Sequence, residues 1–497
     1  MEAGKMRRGF GGAGRQLARF IEDRSGNFAV ITAAILTTIL LSVGFGINTA
    51  QMVLTRSNLL NALDSAVTST ARDLTTGAIP EDDAEKTVKA FLFTNGGTGF
   101  ASADKISLDS LVVDHTAKTV TATSSVNISL LFPLFGAADS QKISVTSAAL
   151  YSDKQVEVAM MLDLTGSMAK TKYTDKIGDL RLAATNAVKT MLGNQNTNNP
   201  RVRVALVPYA SGVNVGALVN NVYAETSSSS DLPPVAGSKL LVSKTGSKAL
   251  PLFATYKSIV ASAYPHSDNC ATERKDRYGN ADFSADGPDT IRTDKNGQPY
   301  YALVNRDNHL SGSSMNKCPD AKVIPLTTDE DALLDSIDDF QANGYTAGAI
   351  AVQWTYYMLS SQWRSVIKDA GLGDGPANTN PDKLSKVAIL MTDGQFNTAY
   401  AGVSNDYNDQ GDVARGNAES ICSNMKADGI EVYTIGFDLD DKSMSATERA
   451  EAKSVLKNCS SPDKPGRQHF FDASTGTELD GAFQKIIADI EGLVLTQ

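Results

Sequence analysis

Between Ser25 and Thr55 the chain carries no charged residue, and within that interval Phe28–Ile47 reads FAVITAAILTTILLSVGFGI. About 20 apolar residues suffice to cross a hydrocarbon core of roughly 30 Å as a helix. Lys5, Arg7, Arg8, Arg15, Arg19 and Arg24 outweigh Glu2, Glu22 and Asp23 ahead of the run, and a basic flank stays on the cytoplasmic side. The expected order is a cytoplasmic basic segment (1–27), a transmembrane helix (28–47), and everything after Asn48 outside. A cleaved secretory signal is the alternative. Its apolar core is ordinarily shorter and ends in an A-x-A-like site, which is not evident near Asn48–Ala50. A buried helix of a soluble domain is a weaker alternative.

This placement governs the cysteines. Cys270, Cys318, Cys422 and Cys459 are even in number and contain no C-x-x-C pair. Outside the cytoplasm they read as two disulfides. Three connectivities are open; pairing neighbours in sequence is the simplest, and four buried thiols is the competing reading. His115, His266, His309 and His469 lie far apart, without zinc-site spacing. A net charge of −10 argues against nucleic acid, which needs clustered Lys and Arg. The 497 residues, 42% hydrophobic and 21% charged, fit a folded chain of two to four domains.

After the span, Leu59, Ala62, Leu63, Ala66 and Val67 recur at helical spacing, so the membrane helix is expected to run on as an amphipathic helix to about Leu74. Residues 48–150 then comprise this extended helix and a small α/β domain. A helix is expected over 81–93, and KISLDSLVVD, KTVTATSSVNISL and KISVTSAALY alternate as half-buried strands do. The apolar segment LLFPLF (130–135) is either a loop packed on the sheet or a patch for a neighbour.

From residue 151 to 497 strands alternate with helices. Strands are expected over 156–162, 202–208, 387–392 and 431–437, with a fifth near 469–471. Helices are expected over 176–192, 331–341, 347–359, 413–427, 446–457 and 478–493. This rhythm implies a doubly wound, mostly parallel α/β sheet. Residues 211–326, rich in Ser, Asn, Asp, Gly and Pro, are too long for a structureless loop and read as an ordered insertion. Its acidic run DRYGNADFSADGPD (276–289) lacks EF-hand spacing and the closing Glu. It reads as a solvated loop rather than a Ca²⁺ site.

Three strand–helix junctions carry the chemistry. The apolar run from Val156 ends at Asp163, with Thr165 and Ser167 at alternate positions beyond it. Thr346 sits in NGYTAGA, a Gly-bracketed turn before a helix, and Asp393 follows the apolar run 387–392 in TDG. Open α/β sheets bind ligands outside the carboxyl ends of their strands. If the three turns converge there, two carboxylates and three hydroxyls form a hard oxygen site for Mg²⁺ or Ca²⁺. A coordination position is left open for a partner's carboxylate. Taken singly, each piece is more often a helix cap or a plain turn.

At these residues the chain resembles the von Willebrand factor type A domain. D-L-T-G-S (163–167) matches that family's D-x-[ST]-x-S, Thr346 its lone loop Thr, and Asp393 its second Asp. The resemblance implies a metal-ion-dependent adhesion site (MIDAS) of Asp163, Thr165, Ser167, Thr346 and Asp393. It holds Mg²⁺, with Ca²⁺ or Mn²⁺ as alternatives, and grips an acidic group on a protein partner. The N-terminal part, R-S-G-N-F-A-V (24–30), the span and S-N-L-L-N-A-L-D-S-A-V (57–67), resembles TadE/TadG-type proteins of Flp (tight-adherence) pilus assembly. TadG-like members carry such a helix ahead of a von Willebrand factor A domain. That resemblance implies a single-pass protein of a bacterial inner membrane, its bulk in the periplasm, with pilus or secretion components as partners. Pseudopilin members carry a Glu shortly after the Gly; here Gly26 is followed by Asn-Phe-Ala-Val-Ile-Thr, so a permanent anchor is expected.

The expected role is binding, with no enzymatic activity. Against it stands a serine hydrolase using Ser167, Asp393 and His469, which occur in the α/β-hydrolase order. The residues two before and two after Ser167 are Thr165 and Ala169, where the nucleophile elbow requires Gly. A structural spacer with an empty site is the third reading.

Overall fold

The computed structural model describes residues 27–95, 105–132, 139–152, 154–193, 195, 200–225, 255–263, 268–310, 317–403, 409–442 and 444–495. The basic segment expected over 1–27 lies outside these residues except for its last position, as do parts of the insertion and of LLFPLF. The chain divides into two compact units, Met1–Arg72 with Glu81–Tyr151, and Asp73–Pro80 with Ser152–Gln497.

In the first unit the span and the amphipathic segment form one uninterrupted helix, α1 (Asn27–Thr76). Among the described residues it is the one helix long and apolar enough to cross a membrane. Its apolar run faces outward, with Phe28 69%, Leu40 62% and Phe45 61% exposed, unlike a core helix of a soluble domain. Past the run the face changes: Leu59, Ala62, Leu63, Ala66 and Val67 are buried. This unit also holds α2 (Ala84–Asn95) and the strands β1 (Ile106–Asp114), β2 (Thr119–Ser129) and β3 (Ser140–Leu150). The strands form an antiparallel sheet in the order β1-β2-β3. Val88 and Leu92 of α2 are buried, as are Val120, Ala122, Val126, Ile128, Ile143 and Val145 of the sheet.

The second unit is built on β4 (Gln155–Asp163), β5 (Val202–Tyr209), β6 (Ile324–Thr327), β7 (Leu384–Thr392), β8 (Ile430–Phe437) and β9 (Phe470–Ala473). Across the sheet they run β6-β5-β4-β7-β8-β9. All neighbours are parallel except β6, which pairs antiparallel with β5 at the edge. Numbered from β4 this is the order 3-2-1-4-5-6 of a doubly wound sheet. The edge strand reads Ile-Pro-Leu-Thr and lies where the sequence placed the end of the insertion. Its Pro325 lacks a ladder donor, which an edge strand tolerates.

Alternation along β4 feeds two cores. Ala159 and Met161 join one with α5 (Gly348–Tyr357), α6 (Gly411–Ala427) and α7 (Ala446–Cys459). Val158, Met160 and Leu162 join the other with α3 (Lys176–Leu192), α4 (Glu330–Asp338) and α8 (Gly476–Leu495). Every residue of α5 is buried, and its Gln353 amide is satisfied by the Arg274 N–H and the Asp282 carbonyl. The insertion is ordered where it is described. Val222–Ala224 pairs parallel with Val304–Arg306, and Val213–Asn214 and Cys270–Ala271 extend the main sheet.

The disulfides are Cys270–Cys318, within the insertion, and Cys422–Cys459, which joins α6 to α7. Two carboxylates of the acidic run are paired with an arginine that follows it. Arg292 pairs with Asp282 and Asp286 and Arg277 with Asp294, while Asp276 accepts the N–H groups of Tyr278 and Asn280.

Candidate metal centre

The strand order reverses between β4 and β7, which are hydrogen-bonded neighbours, and both end at a carboxylate. Asp163 closes β4 and Asp393 follows β7. Both are buried, at 0% and 1% exposure. This is the crevice in which doubly wound sheets place ligands.

Asp163 is held by local and distant donors. Its Oδ1 accepts the N–H of Thr165 at 2.8 Å. Its Oδ2 accepts the hydroxyls of Tyr209 at 2.8 Å and Thr392 at 2.7 Å. Oδ2 is thus fully engaged, whereas Oδ1 accepts a single hydrogen bond. The Thr165 and Ser167 hydroxyls are 2.9 Å apart, and Ser167 donates to Asp393 Oδ1 at 2.6 Å. Thus Asp163, Thr165, Ser167 and Asp393 form a continuous hydrogen-bonded chain. Ser167 is its exposed member.

Thr346 is brought to this chain by its backbone. Asn343 N–H donates to the Leu164 carbonyl at 2.8 Å, Gly166 N–H to that of Gly344 at 2.9 Å, and Ala347 N–H to that of Ala210 at 3.0 Å. Gly344 has φ +86°, and a Cβ there would lie 2.9 Å from Ser211 Oγ. From the other side Asn397 clamps Thr346, its Oδ1 accepting the Thr346 N–H and its own N–H donating to the Thr346 carbonyl, each at 3.0 Å. A Cβ on Gly348 would fall 2.1 Å from the Phe396 ring, so only glycine lets α5 begin here. Among the described residues the Thr346 hydroxyl has no hydrogen-bond partner and so has its lone pairs free.

Lys176 opens α3, whose N-cap Asp175 accepts the N–H of Gly178. Its ammonium is 3.2 Å from Asp393 Oδ2, 3.1 Å from Asp438 and 3.5 Å from Asp441. Burial alone would lower this ammonium, but Asp393 and Asp438 raise it above its ordinary value. Burial, and then repulsion from Asp163, push Asp393 up to about 7, against the pull of Lys176 and Ser167. The centre is therefore short of positive charge, and its donors are all oxygen, a set that suits a hard divalent cation. Among the described residues no group of three or more His, Cys, Asp or Glu is placed to hold a metal; the hydroxyls are what complete this set. Lys176, Tyr209, Thr392 and Asn397 were not singled out from sequence. The one signal for Tyr209 and Thr392 was their position at the carboxyl ends of strands flanking or preceding the carboxylates.

The hydrolase triad does not assemble. Phe470 aligns with Thr434 and Thr434 with Leu390, so His469 falls roughly 13 Å short of Asp393 along the strands and lies two strands away. It is fully buried, hydrogen-bonded to Glu431 at 2.9 Å and stacked on Tyr433. Asp393 turns its Oδ2 to Lys176 instead.

Residues 26–73 match the family model for Flp pilus-assembly TadE/G-like proteins. The N-terminal segment is TadE/G-like. The match takes in the apolar run and the buried stripe of α1. No curated protein matches the sequence. Similar solved structures include the pilus adhesin SpaC from Lactobacillus rhamnosus GG, at 12% identity and TM-score 0.34, covering 78% of this chain and 35% of that one. The chain thus spans about a third of SpaC. Another is the vWF domain of the type V pili tip protein Mfa5 from Porphyromonas gingivalis, at 13% identity and TM-score 0.34, covering 69% and 97%. Proximal thread matrix protein 1 from the mussel byssus, with a zinc-occupied MIDAS motif, follows at 12%, 0.28, 68% and 48%. Scores this low carry no argument about function. The strand order and the antiparallel edge stand on their own geometry, that of a doubly wound, mostly parallel α/β sheet.

Proposed function

We propose that this protein is a membrane-anchored component of Flp/Tad-type pilus assembly or adhesion that makes cation-dependent contacts with a protein partner. Asp163, Thr165, Ser167, Thr346 and Asp393 hold the ion in a MIDAS-type site. Mg²⁺ is the expected ion, with Ca²⁺ or Mn²⁺ as alternatives. The ion supplies concentrated positive charge beside the exposed Ser167, where an acidic side chain of a pilus or secretion component completes its shell. α1 anchors the chain in a bacterial inner membrane, with the N-terminus cytoplasmic and the bulk periplasmic. The site grips and catalyses nothing.

The observation that carries this reading is the hydrogen-bonded chain from Asp163 through Thr165 and Ser167 to Asp393, at the crevice where the strand order reverses. Titration calorimetry of the full chain in detergent with Mg²⁺, Mn²⁺ and Ca²⁺ tests it. Saturable binding lost in both Ser167→Ala and Thr346→Ala is expected. Absence of binding, or binding indifferent to both substitutions, overturns the metal centre.

A further inference from the structure

The last residue of β2 and the described residues just after it, to Phe132, are seated on α1 at the outer end of the apolar run. Asn48 makes a two-way contact with the backbone of Phe132: its Nδ2 donates to the Phe132 carbonyl at 2.6 Å, and its Oδ1 accepts the Phe132 N–H at 3.1 Å. One turn further on, Gln51 Nε2 donates to the Ser129 carbonyl at 3.0 Å. Leu130 N–H donates to the Asp139 carbonyl at 3.0 Å. Gly44 makes room, because a Cβ there would lie 3.2 Å from that of Phe132. The helix thus satisfies the carbonyls of Ser129 and Phe132 and the N–H of Phe132, while Leu131 and Phe132 stay 57% and 47% exposed.

This combination has a specific physical meaning. Non-helical backbone at membrane depth is tolerated only where its polar groups find protein partners. Here two amides on the helix supply partners for Ser129 and Phe132, at the level where Phe45 also faces outward at 61% exposure. Gly44 and Asn48 are about 6 Å apart along the axis, and the first charge beyond the run is Arg56.

We infer that Leu131 and Phe132, just past β2, make a second membrane contact, inserted among the acyl chains of the outer leaflet beside α1. This rests on α1 spanning the membrane. The contact and the span together would fix the rotation of α1 about its axis, which a lone helix leaves free.

The test uses the full chain reconstituted in phosphatidylcholine vesicles, with tryptophan introduced as Leu131→Trp or, as an aqueous control, Val112→Trp, which sits at an exposed position of β1. The native Trp354 and Trp363 are fully buried in the other unit and set the background. Lipids brominated close to the headgroup should quench Leu131→Trp, shift the residual emission to the blue, and leave Val112→Trp at background. Adding Asn48→Ala to Leu131→Trp should weaken the quenching. Alkaline carbonate extraction of the same vesicles separates the two ideas. A chain that is extracted overturns the span and the contact together. A retained chain whose added tryptophan is unquenched overturns the contact alone, and a blue-shifted but unquenched emission assigns the patch to a protein neighbour instead.

Discussion

Lys176 and Asp393 meet at 3.2 Å inside the protein, on the opposite carboxylate oxygen from the one that Ser167 engages at 2.6 Å. Asp393 therefore divides its charge between a permanent internal cation and the open crevice. The same ammonium serves Asp438, a non-glycine residue held at φ +53°, a conformation that Asp tolerates better than most residues.

Lys176→Met removes this cation and leaves Asp393 buried without its ion pair. Breaking a buried pair costs roughly 3–5 kcal/mol, so urea denaturation in EDTA should show a loss of that order. The loss should shrink in saturating Mg²⁺. Calorimetry should show tighter divalent binding than in the parent, because the ion no longer faces an ammonium. Weaker binding would mean that Lys176 organises the site rather than competing with the ion.

Substitutions at Asp163 and Ser167 should separate stability from ion binding. Asp163→Ala takes the acceptor from the Tyr209 hydroxyl and leaves that of Thr392 only the Gly394 carbonyl at 3.2 Å, and an unsatisfied buried donor costs about 1–3 kcal/mol. Ser167 is exposed, and its hydrogen bond to Asp393 contributes about 0.5–1.5 kcal/mol or little more. Both variants should lose the cation, while only Asp163→Ala melts well below the parent.

The Cys422–Cys459 bridge closes a separation of 37 residues between α6 and α7. In the loop-entropy description its removal costs about 4 kcal/mol. The double variant Cys422→Ala/Cys459→Ala should lose stability of that order in urea titration. Non-reducing peptide mapping of the parent should recover both bridges.

Glu431 sets part of the acid limit of the fold. Burial would raise its carboxyl, but the His469 and Lys464 hydrogen bonds outweigh it, and the group lies below its ordinary 4.5. A depressed carboxyl contributes stability that is present above the unfolded value and lost as pH falls through the folded one. The fall in stability between pH 6 and pH 3 should therefore be smaller in Glu431→Gln than in the parent. Equal losses in urea titrations at those pH values would refute the assignment.

What the sequence determined by itself is what local patterns encode. The uncharged run from Ser25 to Thr55 encodes a helix long and apolar enough to cross a membrane, since a helix satisfies its own backbone groups within the segment. Strand–helix alternation from residue 154 on dictates a parallel, doubly wound sheet, and Asp163, Thr165, Ser167 and Asp393 are readable because each sits at a strand end. Tertiary structure alone decided what meets what. Lys176 reaches Asp393 across 217 positions, and Tyr209 and Thr392 converge on one oxygen of Asp163 because parallel register sets β5 and β7 on either side of β4. The same register carries His469 away from Ser167, and Arg292 from the next hairpin pairs with Asp282 and Asp286 of the acidic run. Phe132 finds Asn48 only once the hairpin has closed. Periodicity acts within a window of one element, whereas these contacts are set by crossover and register, which emerge only when the whole sheet is assembled.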